Sequence, residues 1–176
     1  MRIYLPSTVS GLQAAAAAGQ APVRSGVAFA VTDALRREYP GWTEEELEYL
    51  AMLDASRASL RLLAASPADE PALRVVLAAD VDETRVTARP EADRAVVAVA
   101  GGPVPWRRVA SVHLDGADAA DAVRAAAAVI DAADLGDDDA EFALGSAEDF
   151  DLAWYAPGEI RYLLEELTVQ HARPQE

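Results

Sequence analysis

One phrase occurs at both ends of the chain. Tyr4-Leu5-Pro6-Ser7-Thr8-Val9-Ser10-Gly11-Leu12 reads Tyr-x-Pro-x-x-Val-x-x-Leu, and Tyr155-Ala156-Pro157-Gly158-Glu159-Ile160-Arg161-Tyr162-Leu163 reads Tyr-x-Pro-x-x-Ile-x-x-Leu. In each, an apolar strand-like run meets a proline where a first helical turn would begin, a place where its missing N–H costs nothing. Two strand-to-helix turns of one design restrict the chain to folds in which helices cover a sheet, and the rim such turns form is where ligands collect. If the two strands lie side by side and parallel, the two helix N-termini open together. Tyr4, Ser7, Thr8 and Tyr155 would then surround a small polar ligand. Glu159 weighs against an anion there, because its own carboxylate would take the positive helix end.

The 176 residues suffice for one domain burying about 70% of its unfolded surface. There is no cysteine, which removes disulfides, thiol catalysis and thiolate metal sites. Lysine and asparagine are absent, so all fifteen basic side chains are arginine, and alanine approaches a quarter of the chain. This is the usage a GC-rich genome imposes on any protein, and it carries no functional weight. Thirty acidic residues leave a formal charge of −15. A surface of that sign repels polyanions and argues against nucleic acid and anionic membranes as partners. The chain starts on a strand at residues 2–5 with no charged-then-apolar leader, and its longest apolar runs are too short to span a bilayer, so a cytoplasmic location is expected.

Between the two ends the elements read as follows. Ser7 or Thr8 caps a helix to about Ala18, which Gly19 ends. Residues 26–31 form a strand leading to a short helix before Pro40-Gly41. Thr43-Glu44-Glu45-Glu46 is a capping box opening the longest helix, to about Ala65. Tyr49, Met52, Leu53, Leu60 and Leu63 mark one apolar stripe on it, and Leu47, Leu50, Ala58 and Leu62 a second, so it is expected to be central and packed on both sides. Strand-like runs at 74–81, 94–100 and 109–114 suit a short β-meander. A helix covers 118–133, an acidic loop 134–139, a strand 152–156 and a last helix 158–167. Residues 170–176 read as a disordered tail. The expectation is therefore a single α/β (or α+β) domain over residues 1–169, with a mixed sheet of five to six strands covered by four to five helices.

Few side chains invite chemistry. His113 lies in the strand 109–114; with Ala110, Val112 and Leu114 facing the core, Val109, Ser111 and His113 face away, and Asp115 is the nearest carboxylate able to orient the imidazole as a general base. The bland alternative is a histidine bonded to a backbone carbonyl. The acidic run 134–141 fails as a calcium loop: with Gly136 at position 6, Asp131, Ala133 and Leu135 fall at positions 1, 3 and 5 and Phe142 at 12, so a solvated linker is expected. Asp54, Arg57 and Arg61 share one line of the long helix. They read as surface ion pairs or, if that helix is central, as buried guanidinium groups that want a carboxylate or an anionic ligand. Gly101-Gly102 and Gly145-Ser146 match no phosphate loop, and Ser7 lacks the flanking glycines of a nucleophile elbow. Trp106 and Trp154 read as core or rim anchors.

Met1–Thr8, Glu45–Tyr49, Arg74–Val81, Val104-Pro105-Trp106 with Ser111-Val112-His113, and Trp154-Tyr155 resemble a group of small acidic proteins of unknown function from actinobacteria. The resemblance covers most of the chain and implies no activity, cofactor or catalytic residue. The functional expectation is a non-catalytic cytoplasmic domain that binds a protein partner or a small polar ligand, without metal or cofactor. A small enzyme using His113 and Asp115, or Tyr4 and Tyr155, is the alternative, and a homodimer is a further reading.

Overall fold

A computed structural model describes residues 1–171. The strands are β1 (Arg2–Ser7), β2 (Gln20–Ala21), β3 (Val27–Phe29), β4 (Val75–Asp80), β5 (Val86–Ala88), β6 (Val96–Val99), β7 (Val104–Pro105), β8 (Val109–Leu114) and β9 (Ala153–Tyr155). The helices are α1 (Val9–Ala18), α2 (Asp33–Glu38), α3 (Glu44–Ala64), α4 (Ala120–Asp134), α5 (Asp138–Glu148) and α6 (Ile160–His171). Seven strands form one sheet in the order β5-β6-β3-β1-β4-β8-β9, and β2 pairs with β7 alone. Every ladder is antiparallel.

The sheet is thus larger than the five to six strands expected, and it is not mixed. The meander is absent too: β6 pairs with β3 and β5 and is separated from β4 by β3 and β1, while β8 lies beside β4. The chain between β4 and β6 turns back through β5 as a hairpin partner of β6, a three-residue strand too short to show alternation in the sequence. The expected tail is partly helix, since α6 runs to His171; residues 172–176 lie outside the described residues.

Alternation along β1 sets up two buried faces. Ile3 and Leu5 point to the face covered by α1 and α6, where Val9, Leu12, Val75, Leu77, Val112, Leu114 and Ile160 join them. Tyr4 points to the other face, where Phe29, Leu35, Leu47, Ala51, Met52, Ala55 and Val76 close around it under α3. A third cluster joins Leu60 of α3 to Val123, Ile130 and Leu144 of α4 and α5.

The Thr43–Glu46 capping box opens α3 as expected, with Thr43 Oγ1 accepting from the Glu46 N–H and Glu46 accepting from the Thr43 N–H. The buried line of α3 is Leu47, Ala51, Met52, Ala55, Ser56, Ser59 and Leu60, whereas Tyr49 is 49% exposed. The small residues decide the face, because they let the helix lie close on the sheet. Leu60 turns from that line to α4 and α5.

The acidic run read as a linker is the start of α5. Asp137 caps the helix by accepting from the Ala140 N–H, and Asp138, Asp139 and Glu141 sit in the first turn, where the helix dipole favours negative charge. Gly136 takes φ +87°, a left-handed conformation that favours glycine, so that α4 folds back into α5.

Candidate functional site

Asp54, Arg57 and Arg61 point from α3 into a cleft of about 500 Å³. Its far wall is Asp134 at the end of α4, Gly136, and Glu141 of α5. Its near wall is Glu38 at the end of α2 with Asp93 and Arg94 just before β6, and Phe29 of β3 contributes to its lining. Arg61 grips Asp134 with Nε and Nη2, each at 2.7 Å. Arg57 donates from Nη2 to Glu141 at 2.8 Å and to Asp134 at 3.5 Å. These pairs tie the α4–α5 hairpin to α3.

Arg94 holds the other wall. Its Nη1 donates to Glu38 and, at 2.6 Å, to the Tyr39 hydroxyl, while its guanidinium carbon lies 5.2 Å from the centre of the Tyr39 ring. It reaches both Asp54 oxygens only at 3.4 Å. The Asp54 side chain is 24% exposed, and burial pushes its carboxyl above the usual range despite Arg94; the charges on Asp93 and Glu38 push the same way. Asp134 is held below the usual range by Arg61. Five carboxylates and three guanidinium groups therefore share the cleft.

The α3 line was readable in the sequence; its partners were not. Glu38, Asp93, Arg94, Asp134 and Glu141 come from four other segments, and only the fold brings them together. The local signal that existed, the acidic run 134–141, marked a helix start.

The other sequence candidates are dispersed. Asp115 is fully consumed by Arg74, which donates to it from Nε and Nη2, both at 2.8 Å, and from its backbone N–H at 2.7 Å. His113 instead pairs with Ser111, Nε2 to Oγ at 3.1 Å. A bulge opposite Ala78/Ala79 breaks the alternation of β8. Val109 therefore lies in the core with Val112 and Leu114, and does not share a face with His113 as expected.

Burial, with a smaller contribution from the Arg2 charge, lowers the His113 pKa. The folded state therefore favours the neutral ring, so His113 costs nothing above about pH 6.5. Its penalty grows as the unfolded chain takes up a proton and the folded one resists. Stability is expected to fall as pH drops from 6.5 towards the depressed folded pKa. His113→Gln is expected to flatten that slope in urea melts across pH 7 to 5; an unchanged slope would assign it to other groups.

Tyr4 and Tyr155 are not neighbours. β4 and β8 stand between their strands, three antiparallel steps make β1 and β9 run in opposite directions, and the two rings lie on opposite faces of the sheet. The Tyr4 phenol is pushed up to about 12, first by burial and then by Glu48. α1 and α6 lie antiparallel: Ala16 and Ala17 line one pocket with Ile160 and Arg161, and Val9 and Ser10 another with Leu167 and Thr168. Their N-termini point to opposite ends of the molecule. Thr8 caps α1 by accepting from the Gly11 N–H at 3.1 Å, and Ser7 Oγ donates to the Thr8 carbonyl. Each N-terminus already holds a carboxylate of this chain: Glu70 accepts from the Ser10 N–H at 2.9 Å, and Glu159 from the Ala156 N–H at 2.8 Å.

Among the described residues, no group of three or more histidine, aspartate or glutamate side chains is placed to hold a metal ion, and no helix is long and apolar enough to cross a membrane.

An antiparallel seven-stranded sheet with helices on both faces and a charged cleft beside its central helix defines a single α/β domain of the three-layer kind. The chain belongs to a family of unknown function, DUF6912, whose family model matches residues 1–164. No curated protein and no solved structure matches it.

Proposed function

We propose that this protein is a non-catalytic binding domain and that its site is the charged cleft beside α3, taking a small polar ligand. The observation that carries this reading is the convergence of eight charged side chains from five segments on one cleft of about 500 Å³, within the size range of small-molecule sites. Binding is favoured over catalysis because Asp115, the carboxylate a His113 base would need, is spent on Arg74. Docking of a protein partner takes second place: the exposed large apolar side chains Met1, Trp42, Tyr49, Leu135, Phe142, Trp154 and Tyr162 each come from a different helix, strand or turn. The charge of −15 supports a partner other than nucleic acid or an anionic membrane. The arginine-only basic residues and the alanine content support a GC-rich source, in keeping with the actinobacterial proteins its segments resemble, and we propose the cytoplasm as its compartment.

Native mass spectrometry of the protein purified gently from such a cytoplasm tests the reading. Wild type is expected to retain a small molecule that Asp54→Asn and Arg57→Gln both lose. Asp54→Asn keeps the Arg57 and Arg61 pairs and removes a carboxylate that burial penalises, so its melting temperature is expected to stay at or above that of wild type. A bare wild-type protein, or a molecule retained by both variants, would overturn the assignment.

A further inference from the structure

We infer that the cleft ligand is a small zwitterion, its cationic nitrogen on Asp54 and its anionic oxygens on Arg57. This rests on the ligand-binding reading of the same cleft and adds the chemistry of the ligand.

Two side chains of α3 leave hydrogen-bonding capacity open, and they are of opposite sign. Arg57 uses one of its three nitrogens: Nη2 meets Glu141 and Asp134, while Nε and Nη1 have no partner among the described residues. Among the described residues no side-chain nitrogen or oxygen is both fully buried and unpartnered, so these two nitrogens are solvent-accessible, and Arg57 lines the cleft. Nη2 belongs to both forked edges of the guanidinium and is already taken, so Nε and Nη1 can each donate one charge-assisted bond to an anionic oxygen. Asp54 is the complement. A carboxylate has about four acceptor sites, and among the described residues the only side chain that reaches its oxygens, Arg94, does so at 3.4 Å, near the limit of a hydrogen bond.

Position adds to the pairing. Asp54 and Arg57 are three residues apart on one helix, about 4.5 Å along its axis, with Arg61 roughly 6 Å beyond. A ligand spanning one helical turn can reach both. A simple anion could fill Arg57, but it would face Asp54, Asp93 and Glu38 across the same space. A simple cation would suit Asp54 and leave the open Arg57 donors unfilled. Only a ligand carrying both signs fills both vacancies, and the ω-amino acids carry them at this spacing.

The probes are γ-aminobutyrate, with butylamine and butyrate as controls that each carry one of its charges. Binding is read by calorimetry and by the Nε–H resonance of Arg57. γ-Aminobutyrate is expected to shift that resonance saturably and to bind at least about tenfold more tightly than either control, the scale of one charge-assisted hydrogen bond. Asp54→Asn is expected to cost about tenfold in its affinity while leaving the Arg57 pair with Glu141 intact. A control that binds as well as γ-aminobutyrate would make this a site for one sign of charge, overturning the zwitterion but not the ligand-binding reading. No binding by any probe would also overturn the zwitterion, and the native mass spectrum then decides the wider reading: a retained ligand keeps it and a bare protein ends it.

Discussion

Replacing Arg74 with methionine is expected to lower the unfolding free energy by about 3–5 kcal/mol, the cost of leaving a buried charge without its partner. The side chains of Arg74 and Asp115 are 1% and 0% exposed. Besides Asp115, Arg74 holds the Phe150 carbonyl through Nη2 at 2.8 Å, so one guanidinium joins the start of β4, the exit of β8 and the segment leading to β9. Methionine fills much of the space but leaves the Asp115 carboxylate with only the Arg74 backbone N–H. Urea denaturation should show an earlier midpoint with an unchanged slope. The double replacement Arg74→Met with Asp115→Leu is expected to recover part of the loss, because it removes the stranded charge and leaves only the Arg74 N–H and the Phe150 carbonyl to be satisfied. A single-variant loss below about 1 kcal/mol would show that water or a rearranged partner reaches Asp115.

Ser59→Ala is the second large effect. Ser59 is completely buried, and its hydroxyl donates to the Ser7 carbonyl at 2.7 Å while accepting from the Val75 N–H at 3.1 Å. It bridges β1 and β4 at the point where their ladder ends and fastens α3 to both. Alanine removes one oxygen and strands two backbone groups, at about 1–3 kcal/mol for each that finds no new partner. Ser59→Thr keeps the hydroxyl and is expected to lose less. Equal losses for the two variants in the same melts would show that the effect comes from packing and not from the bridge.

The strong periodic signals and the helix caps were legible in the sequence. Thr8, one of the two caps offered for α1, and Thr43 of the capping box open α1 and α3, and the paired Tyr-x-Pro phrases do mark strand-to-helix turns. What those phrases could not carry was direction: identical local chemistry opens helices that point opposite ways, because strand order is settled by contacts between distant segments. Small residues hid the rest. Ala51, Ala55, Ser56 and Ser59 outrank Tyr49 on the buried line of α3, and a hydropathy reading weights them the other way. α5 was concealed by its own stabilisation, since Asp137 through Glu141 look like a solvated run until the Asp137 cap is seen. Of the cleft, only the α3 line Asp54–Arg57–Arg61 repeats at helical spacing, and the remaining five charged residues are neighbours through tertiary structure alone.

The position of β1 bears on how the molecule comes into being. It is the middle plank of the seven, and the strand that closes its second side lies far along the chain: Arg2 meets Asp80 across 78 residues. A nascent chain emerging from the ribosome must therefore hold Ile3, Tyr4 and Leu5 unsheltered until β4 has been made, whereas the α4–α5 hairpin can close on itself within some thirty residues of synthesis. β1 is made well ahead of the strand that encloses it, and the time spent waiting is the time in which the chain is open to mispairing.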